Sequence, residues 1–106
     1  MQEGLGAIRT LRDRMAGVSI ADKGRAANIA LVRYFGMEYM LVVAESVALG
    51  ALARRESRGS HTRLDYPARD DEGFLQHTIA TGAGGKMAVS YSPVVLGMFT
   101  PEERVY

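Results

Sequence analysis

The chain has 106 residues, of which 47% are hydrophobic and 24% charged, enough for one domain with a modest core. A formal net charge of +1 gives no electrostatic case for nucleic acid or an anionic membrane surface. With no cysteine, disulfides and thiolate metal sites are excluded.

The N-terminus, Met1-Gln2-Glu3-Gly4, lacks the basic-then-apolar pattern of a signal peptide. Leu5, Ile8, Leu11 and Met15 recur at spacings of three and four with charged residues between them. That predicts an amphipathic helix over 2–16, with Gly17 as its stop and 18–24 as a turn. A longer helical pattern runs over 26–55. Ile29, Val32, Phe35, Met40, Val43, Val47 and Leu52 follow the helical period, and Leu31, Met37, Leu41 and Ala44 widen the band. Gly36 and Gly50 each cost about 1 kcal/mol against alanine, which suggests close approach of another backbone. The apolar run from Met37 to Leu52 is interrupted by Glu38 and Glu45 and reads as too short to span a bilayer. About 28 helical residues would extend about 42 Å, longer than a domain of this size is wide. Such a helix either breaks near Gly36 or protrudes toward something outside this chain, and we favour protrusion.

Gly59 is the expected helix terminator, and Tyr66-Pro67 commits the chain to extended or turn geometry. Residues 75–80 and 87–91 predict two strands joined at Gly82-Ala83-Gly84-Gly85. A lone hairpin is marginal in water and must lean on a helix. Residues 94–106 read as an extended tail, with Val105-Tyr106 docked. The expected fold is therefore mainly α: a small helical bundle of one short and one long helix, an appended two-stranded β-hairpin and an extended C-terminal tail, all one domain over 1–106.

The densest chemistry lies in Arg54 to Glu72, where Arg54, Arg55, Arg58, Arg63 and Arg69 alternate with Glu56, Asp65, Asp70, Asp71 and Glu72. Charges that cancel in sign do not make a repelling run. They suggest bidentate pairs that hold an irregular segment in one shape, the alternative being a wet surface loop with weak ion pairs. A metal site from His61, His77 and Asp70 or Asp71 is chemically conceivable but has no recognised ligand spacing. Ser57 and Ser60 near His61 do not make a triad without a third group to orient the base. The glycines of 82–85 open no helix, so no phosphate loop or dinucleotide fingerprint is present. The methionines, tyrosines and phenylalanines follow helix or strand periods and read as core. On its residues alone the chain reads as a helical interaction domain with a rigid arginine-rich corner.

The run Ala51-Leu52-Ala53-Arg54-Arg55-Glu56-Ser57-Arg58-Gly59-Ser60-His61-Thr62-Arg63-Leu64-Asp65-Tyr66-Pro67, followed by Arg69-Asp70-Asp71-Glu72 and His77-Thr78, resembles the C-terminal domain of succinate dehydrogenase and fumarate reductase flavoprotein subunits. The preceding helix around Gly36 to Glu45, the segment Met87 to Val94 and the closing Arg104-Val105-Tyr106 are similar too. L-aspartate oxidases share the Glu-Ser-Arg-Gly-x-His core and are the near alternative; a standalone interaction module is the other. The resemblance implies a subunit that interconverts succinate and fumarate at FAD and passes electrons to an iron–sulfur subunit. It places that subunit in the cytoplasm, at the membrane face only through partner subunits. It implies no catalytic, cofactor-binding or metal residue in this fragment: FAD belongs to upstream domains of the full-length protein. The expected role of Glu56, Arg58, His61, Arg63 and Asp65 is an interdomain hydrogen-bond network against the FAD-binding domain. The isolated fragment is expected to self-associate where it loses that neighbour.

Overall fold

The structure is a computed structural model that describes residues 1–102; the expected docking of Val105-Tyr106 lies outside them. Its elements are α1 (Gln2–Met15), α2 (Ile29–Ala53), the single turn α3 (Asp71–Phe74), β1 (Gln76–Ala83) and β2 (Lys86–Pro93). The chain is thus helical with a two-stranded antiparallel hairpin. It divides into two compact units, Met1–Leu49 and the residues from Gly50 onward.

In the first unit, α1 buries Leu5 and half-covers Ile8, Arg12 and Met15. Leu11, expected on this stripe, is exposed. Arg12 takes its place because it reaches Glu45 of α2, and the charge pair outranks the apolar side chain for that position. Glu45 is buried and also accepts from Arg9 Nε at 3.0 Å. The Arg9 hydrogen bond holds its carboxyl below the usual carboxylate range; burial opposes this and Arg12 reinforces it.

Asn28 starts α2. Its Oδ1 accepts from the Leu31 amide at 2.9 Å, and its Nδ2 donates to the Asp22 and Gly24 carbonyls at 2.9 and 3.1 Å. One side chain therefore caps the helix and closes the loop that leads to it. That is why the helix begins three residues later than its periodicity suggests. It runs without a break through Gly36 and Gly50 for 25 residues, about 38 Å at 1.5 Å per residue. Among the described residues no other backbone lies close to these glycines. A Cβ at Gly36 would meet nothing within 4 Å, and one at Gly50 would meet only Thr78 Cγ2 at 3.6 Å. In length and composition α2 could cross a membrane, contrary to the expectation drawn from Met37 to Leu52 alone. Of its residues only Leu41 and Glu45 are buried.

In the second unit, α2 ends at Ala53, not at Gly59. Gly59 instead turns a tight corner with φ +58° between Arg58 and His61, which exchange backbone hydrogen bonds at 2.8 and 3.0 Å. β1 and β2 pair from Gln76↔Pro93 to Ala83↔Lys86. They are joined by Gly84-Gly85, both at positive φ, the geometry that matches strand twist in a two-residue hairpin loop. Thr78, Met87 and Val89 on one face are half-buried, while His77 is exposed on the other. Beyond Pro93 the described tail forms no helix or strand.

Candidate functional site

Glu56 is the centre of the arginine-rich segment and is wholly buried. It emerges three residues after the last turn of α2, and its two oxygens accept four hydrogen bonds. Oε1 takes Arg54 Nε at 2.7 Å and Arg58 Nε at 2.9 Å. Oε2 takes Arg58 Nη2 at 3.0 Å and the Asp70 amide at 2.9 Å. Burial alone pushes this carboxyl up, but the donors from Arg58, the Asp70 N–H and Arg54 outweigh it and keep it ionised.

Each partner of Glu56 reaches a different part of the chain. Arg54 donates to the Gln76 carbonyl at 3.1 Å, to Thr78 Oγ1 at 2.8 Å and to the Phe74 carbonyl, with its guanidinium 5.7 Å from the Phe74 ring centroid. This is how the hairpin finds the helical support it needs: one guanidinium ties β1 to the end of α2. Phe74 in turn meets Tyr91 of β2 edge to face at 6.2 Å. Arg58 extends to Asp71 Oδ1 at 2.5 Å, and Arg69 grips the same carboxylate while donating to the Glu102 carbonyl at 2.7 Å. Arg69 and Arg58 together hold the Asp71 carboxyl far below its usual range. Hydrogen bonds to Glu56 and Asp71 raise the Arg58 guanidinium, although burial opposes them. Asp70 caps α3 by accepting the Gly73 amide at 2.8 Å, and a Cβ at Gly73 would crowd that carboxylate at 2.6 Å.

Arg63 forms a second centre. It is buried, and its Nη1 donates to the carbonyls of Ala51, Leu52 and Arg54 at 3.1, 3.0 and 3.2 Å. The first two are C-terminal carbonyls of α2 and the third belongs to the residue that follows it; such carbonyls lack helical donors, and a cation there also meets the negative end of the helix dipole. Its Nε and Nη2 form a fork with Asp65 at 2.7 and 2.5 Å, and its guanidinium lies 5.0 Å from the Tyr66 ring centroid. Asp65 is 62% exposed in its side chain, and Arg63 lowers its pKa to about 2. His61 joins the two centres: the Nε2–H tautomer donates to the Arg54 carbonyl at 3.3 Å. Ser57 closes the loop. Its Oγ accepts the Arg63 amide and donates to the Tyr66 carbonyl, both at 2.8 Å, while its own amide donates to the Ala68 carbonyl at 3.0 Å.

Of the five residues named from the sequence, Glu56 pairs with Arg58, Arg63 pairs with Asp65, and His61 and Arg63 meet at the Arg54 carbonyl, all within this chain. The other members of the network, Arg54, Ser57, Arg69, Asp70 and Asp71, were missed as site residues. The signal for them was the charge density from Arg54 to Glu72, which shows that pairs form but not which. Two of the alternatives fail on geometry. His61, His77, Asp70 and Asp71 do not gather: among the described residues no group of three or more His, Asp or Glu side chains is placed to hold a metal. His61 faces a carbonyl rather than Ser57 or Ser60, so no nucleophile–base pair forms there. Among the described residues no buried side-chain nitrogen or oxygen lacks a partner.

A family model described as "Fumarate reductase flavoprotein C-term" matches residues 1–106. The fumarate reductase flavoprotein subunit of Haemophilus influenzae is 37% identical over all of this chain and 18% of its own length. That of Mycobacterium tuberculosis is 42% identical over 93% of this chain and 17% of its own length. The succinate dehydrogenase flavoprotein subunit of Rickettsia conorii is 37% identical over the whole chain and 19% of its own length. A solved chain of Escherichia coli quinol fumarate reductase superposes with a TM-score of 0.93 at 38% identity, over 99% of this chain and 18% of that one. The chain thus spans less than a fifth of the relatives it matches. These matches favour neither an L-aspartate oxidase nor a standalone module.

Proposed function

This chain belongs to the fumarate reductase flavoprotein C-terminal family, and from that premise we propose that it serves as the structural terminal domain of an FAD-dependent succinate/fumarate oxidoreductase subunit. In this reading α1 and α2 are part of a small helical bundle. The network around Glu56, Arg58, His61, Arg63 and Asp65 is a brace against the FAD-binding domain of the same polypeptide. The subunit passes electrons to an iron–sulfur partner, and it meets the membrane on its cytoplasmic face only through partner subunits.

The observation that carries this reading is the saturation of Glu56. A buried carboxylate that accepts four donors has no lone pair left for a substrate or a transferred proton, whereas a rigid corner suits a packing surface. The described residues do not fit the flavin. The glycine pair joins two strands instead of opening a helix, so it presents no N-terminal amides to a pyrophosphate. FAD is accordingly assigned to the rest of the full-length subunit, and no catalytic step is assigned to this chain.

The test is Arg58→Ala in the full-length subunit. Flavin retention or thermal stability is expected to fall while substrate affinity in the surviving holoenzyme holds. Normal stability and flavin content with lost substrate binding would refute the structural assignment.

A further inference from the structure

The turn of the hairpin fixes which backbone groups face outward. Gly84 and Gly85 both have positive φ, which makes a two-residue primed turn whose closing pair, Ala83↔Lys86, exchanges hydrogen bonds. Antiparallel pairs alternate between bonded and non-bonded, so the other bonded pairs are Thr81↔Ala88, Ile79↔Ser90 and His77↔Ser92. The N–H and C=O groups of Thr78, Ala80 and Gly82 on β1, and of Met87, Val89 and Tyr91 on β2, therefore point away from the partner strand. On β1 this rim is blunted at its start, where Arg54 takes the Gln76 carbonyl and Thr78 Oγ1. On β2 no described residue hydrogen-bonds to the outward groups of Met87, Val89 or Tyr91.

Natural sheets protect such rims with charges, proline or a bulge. β2 carries Lys86 and Pro93 at its two ends only, and the pairing between them runs without a bulge. The stretch between, Met87-Ala88-Val89-Ser90-Tyr91, is uncharged.

We infer that the free edge of β2 pairs with the β2 edge of a second copy of this chain, antiparallel and centred on Val89, so that two hairpins join into one continuous sheet. A contact of this kind needs a surface that complements itself across a twofold axis, and β2 has that property. About Val89, Met87 falls opposite Tyr91 of the second copy, a thioether against a ring. Ala88 falls opposite Ser90 on the other, exposed face. Lys86 falls opposite Ser92, so no like charges meet. The outward N–H and C=O groups of Met87, Val89 and Tyr91 all find partners in this register. A two-stranded sheet is also short of the three strands that give independent stability. With the β1 rim blocked at its start by Arg54, the assembly closes at two copies. The contact lies on the hairpin and does not draw on the terminal-domain reading, so the two fail separately.

The experiment measures the mass of the full-length subunit by sedimentation velocity over a dilution series. The unmodified subunit is expected to be a dimer that dissociates on dilution. Ala88→Lys combined with Ser90→Lys sets lysine against lysine on both sides of the twofold axis and is expected to abolish the dimer. Ala88→Lys combined with Ser90→Glu sets lysine against glutamate at the same places and is expected to restore it. Within one hairpin positions 88 and 90 are exposed and face the uncharged Thr81 and Ile79, so the new charges act chiefly across the edge.

A monomeric unmodified subunit would overturn the inference. So would a dimer that survives the paired lysines, a lysine–glutamate variant that stays monomeric, or growth beyond two copies.

Discussion

Replacing Glu56 by glutamine keeps the shape of the side chain and removes its charge. The amide retains one acceptor oxygen and turns an NH2 toward two of the four donors now bound to the carboxylate. Two hydrogen bonds to a charged acceptor are lost, at about 1.5–3 kcal/mol each, and Arg54 and Arg58 are left half-compensated inside the protein. Breaking a buried ion pair from one side costs about 3–5 kcal/mol, and the two routes to the magnitude agree. If opening of the 54–74 segment is what this energy opposes, amide exchange there should accelerate by a factor of about 10² to 10⁴. The reporter is the Ser57 amide, bonded to Ala68 across the loop. Hydrogen–deuterium exchange of the full-length subunit, read on peptides covering 54–74, makes the measurement. Exchange of the Glu56→Gln variant at the unmodified rate would show that Ser57 and Arg63 hold the loop without Glu56, and the central role given to this carboxylate would fall.

Asp65→Asn should change the same exchange far less, because Arg63 keeps its three helix carbonyls when its exposed partner is neutralised; acceleration equal to that of Glu56→Gln would contradict this ranking. Acid should destabilise the domain in a defined window. Glu45, Glu56 and Asp65 all have folded pKa values below their unfolded ones. Their contribution is therefore complete above the unfolded carboxylate range of about 4 and is lost as pH falls through the depressed values, to about 2 for Asp65. Thermal unfolding followed from pH 7 to 2 should be flat and then decline, and Glu56→Gln should decline less steeply. Ala27 holds φ +51° just before α2, a conformation that costs a residue with a Cβ about 1–2 kcal/mol. Ala27→Gly should therefore stabilise by about 0.5–1 kcal/mol after the extra freedom of glycine in the unfolded chain is deducted; a lowered Tm would count against strain at that position.

The helices α1 and α2 and the hairpin were legible because their apolar residues keep the periods of helix and strand and because Gly84-Gly85 is a strong turn signal. What was not legible depends on side chains that act across the chain. The start of α2 is set by Asn28, whose hydrogen bonds to the Asp22 and Gly24 carbonyls exist only once the loop has turned back. Its end is set by Arg63, not by the local sequence, which continues through good helix formers into Arg54-Arg55. The turn α3 was missed because Asp71-Glu72-Gly73-Phe74 is one turn long and contains a glycine; its cap, Asp70, is also fixed from Glu56. Within the site, Glu56, Arg58, His61, Arg63 and Asp65 could be named from the motif. The partners of Arg54 beyond Glu56, at Phe74, Gln76 and Thr78, lie 20 to 24 residues away, a separation that neither spacing nor composition can resolve. Glu45 was visible as an interruption in an apolar band, but not as the acceptor for Arg9 and Arg12.

The grip of Arg63 on the end of α2 also bears on the order in which the domain assembles. The carbonyls it holds are only 9 to 12 residues earlier in the chain, and a loop of about ten residues closes in roughly 10–100 ns. The last turn of the helix and the start of the irregular segment can therefore form a local nucleus as soon as residue 63 is available. The hairpin then arrives at a prepared surface, through Arg54 and Phe74, instead of having to find its partners in an open chain. A segment without regular secondary structure would in this way be among the first parts of the domain to become native.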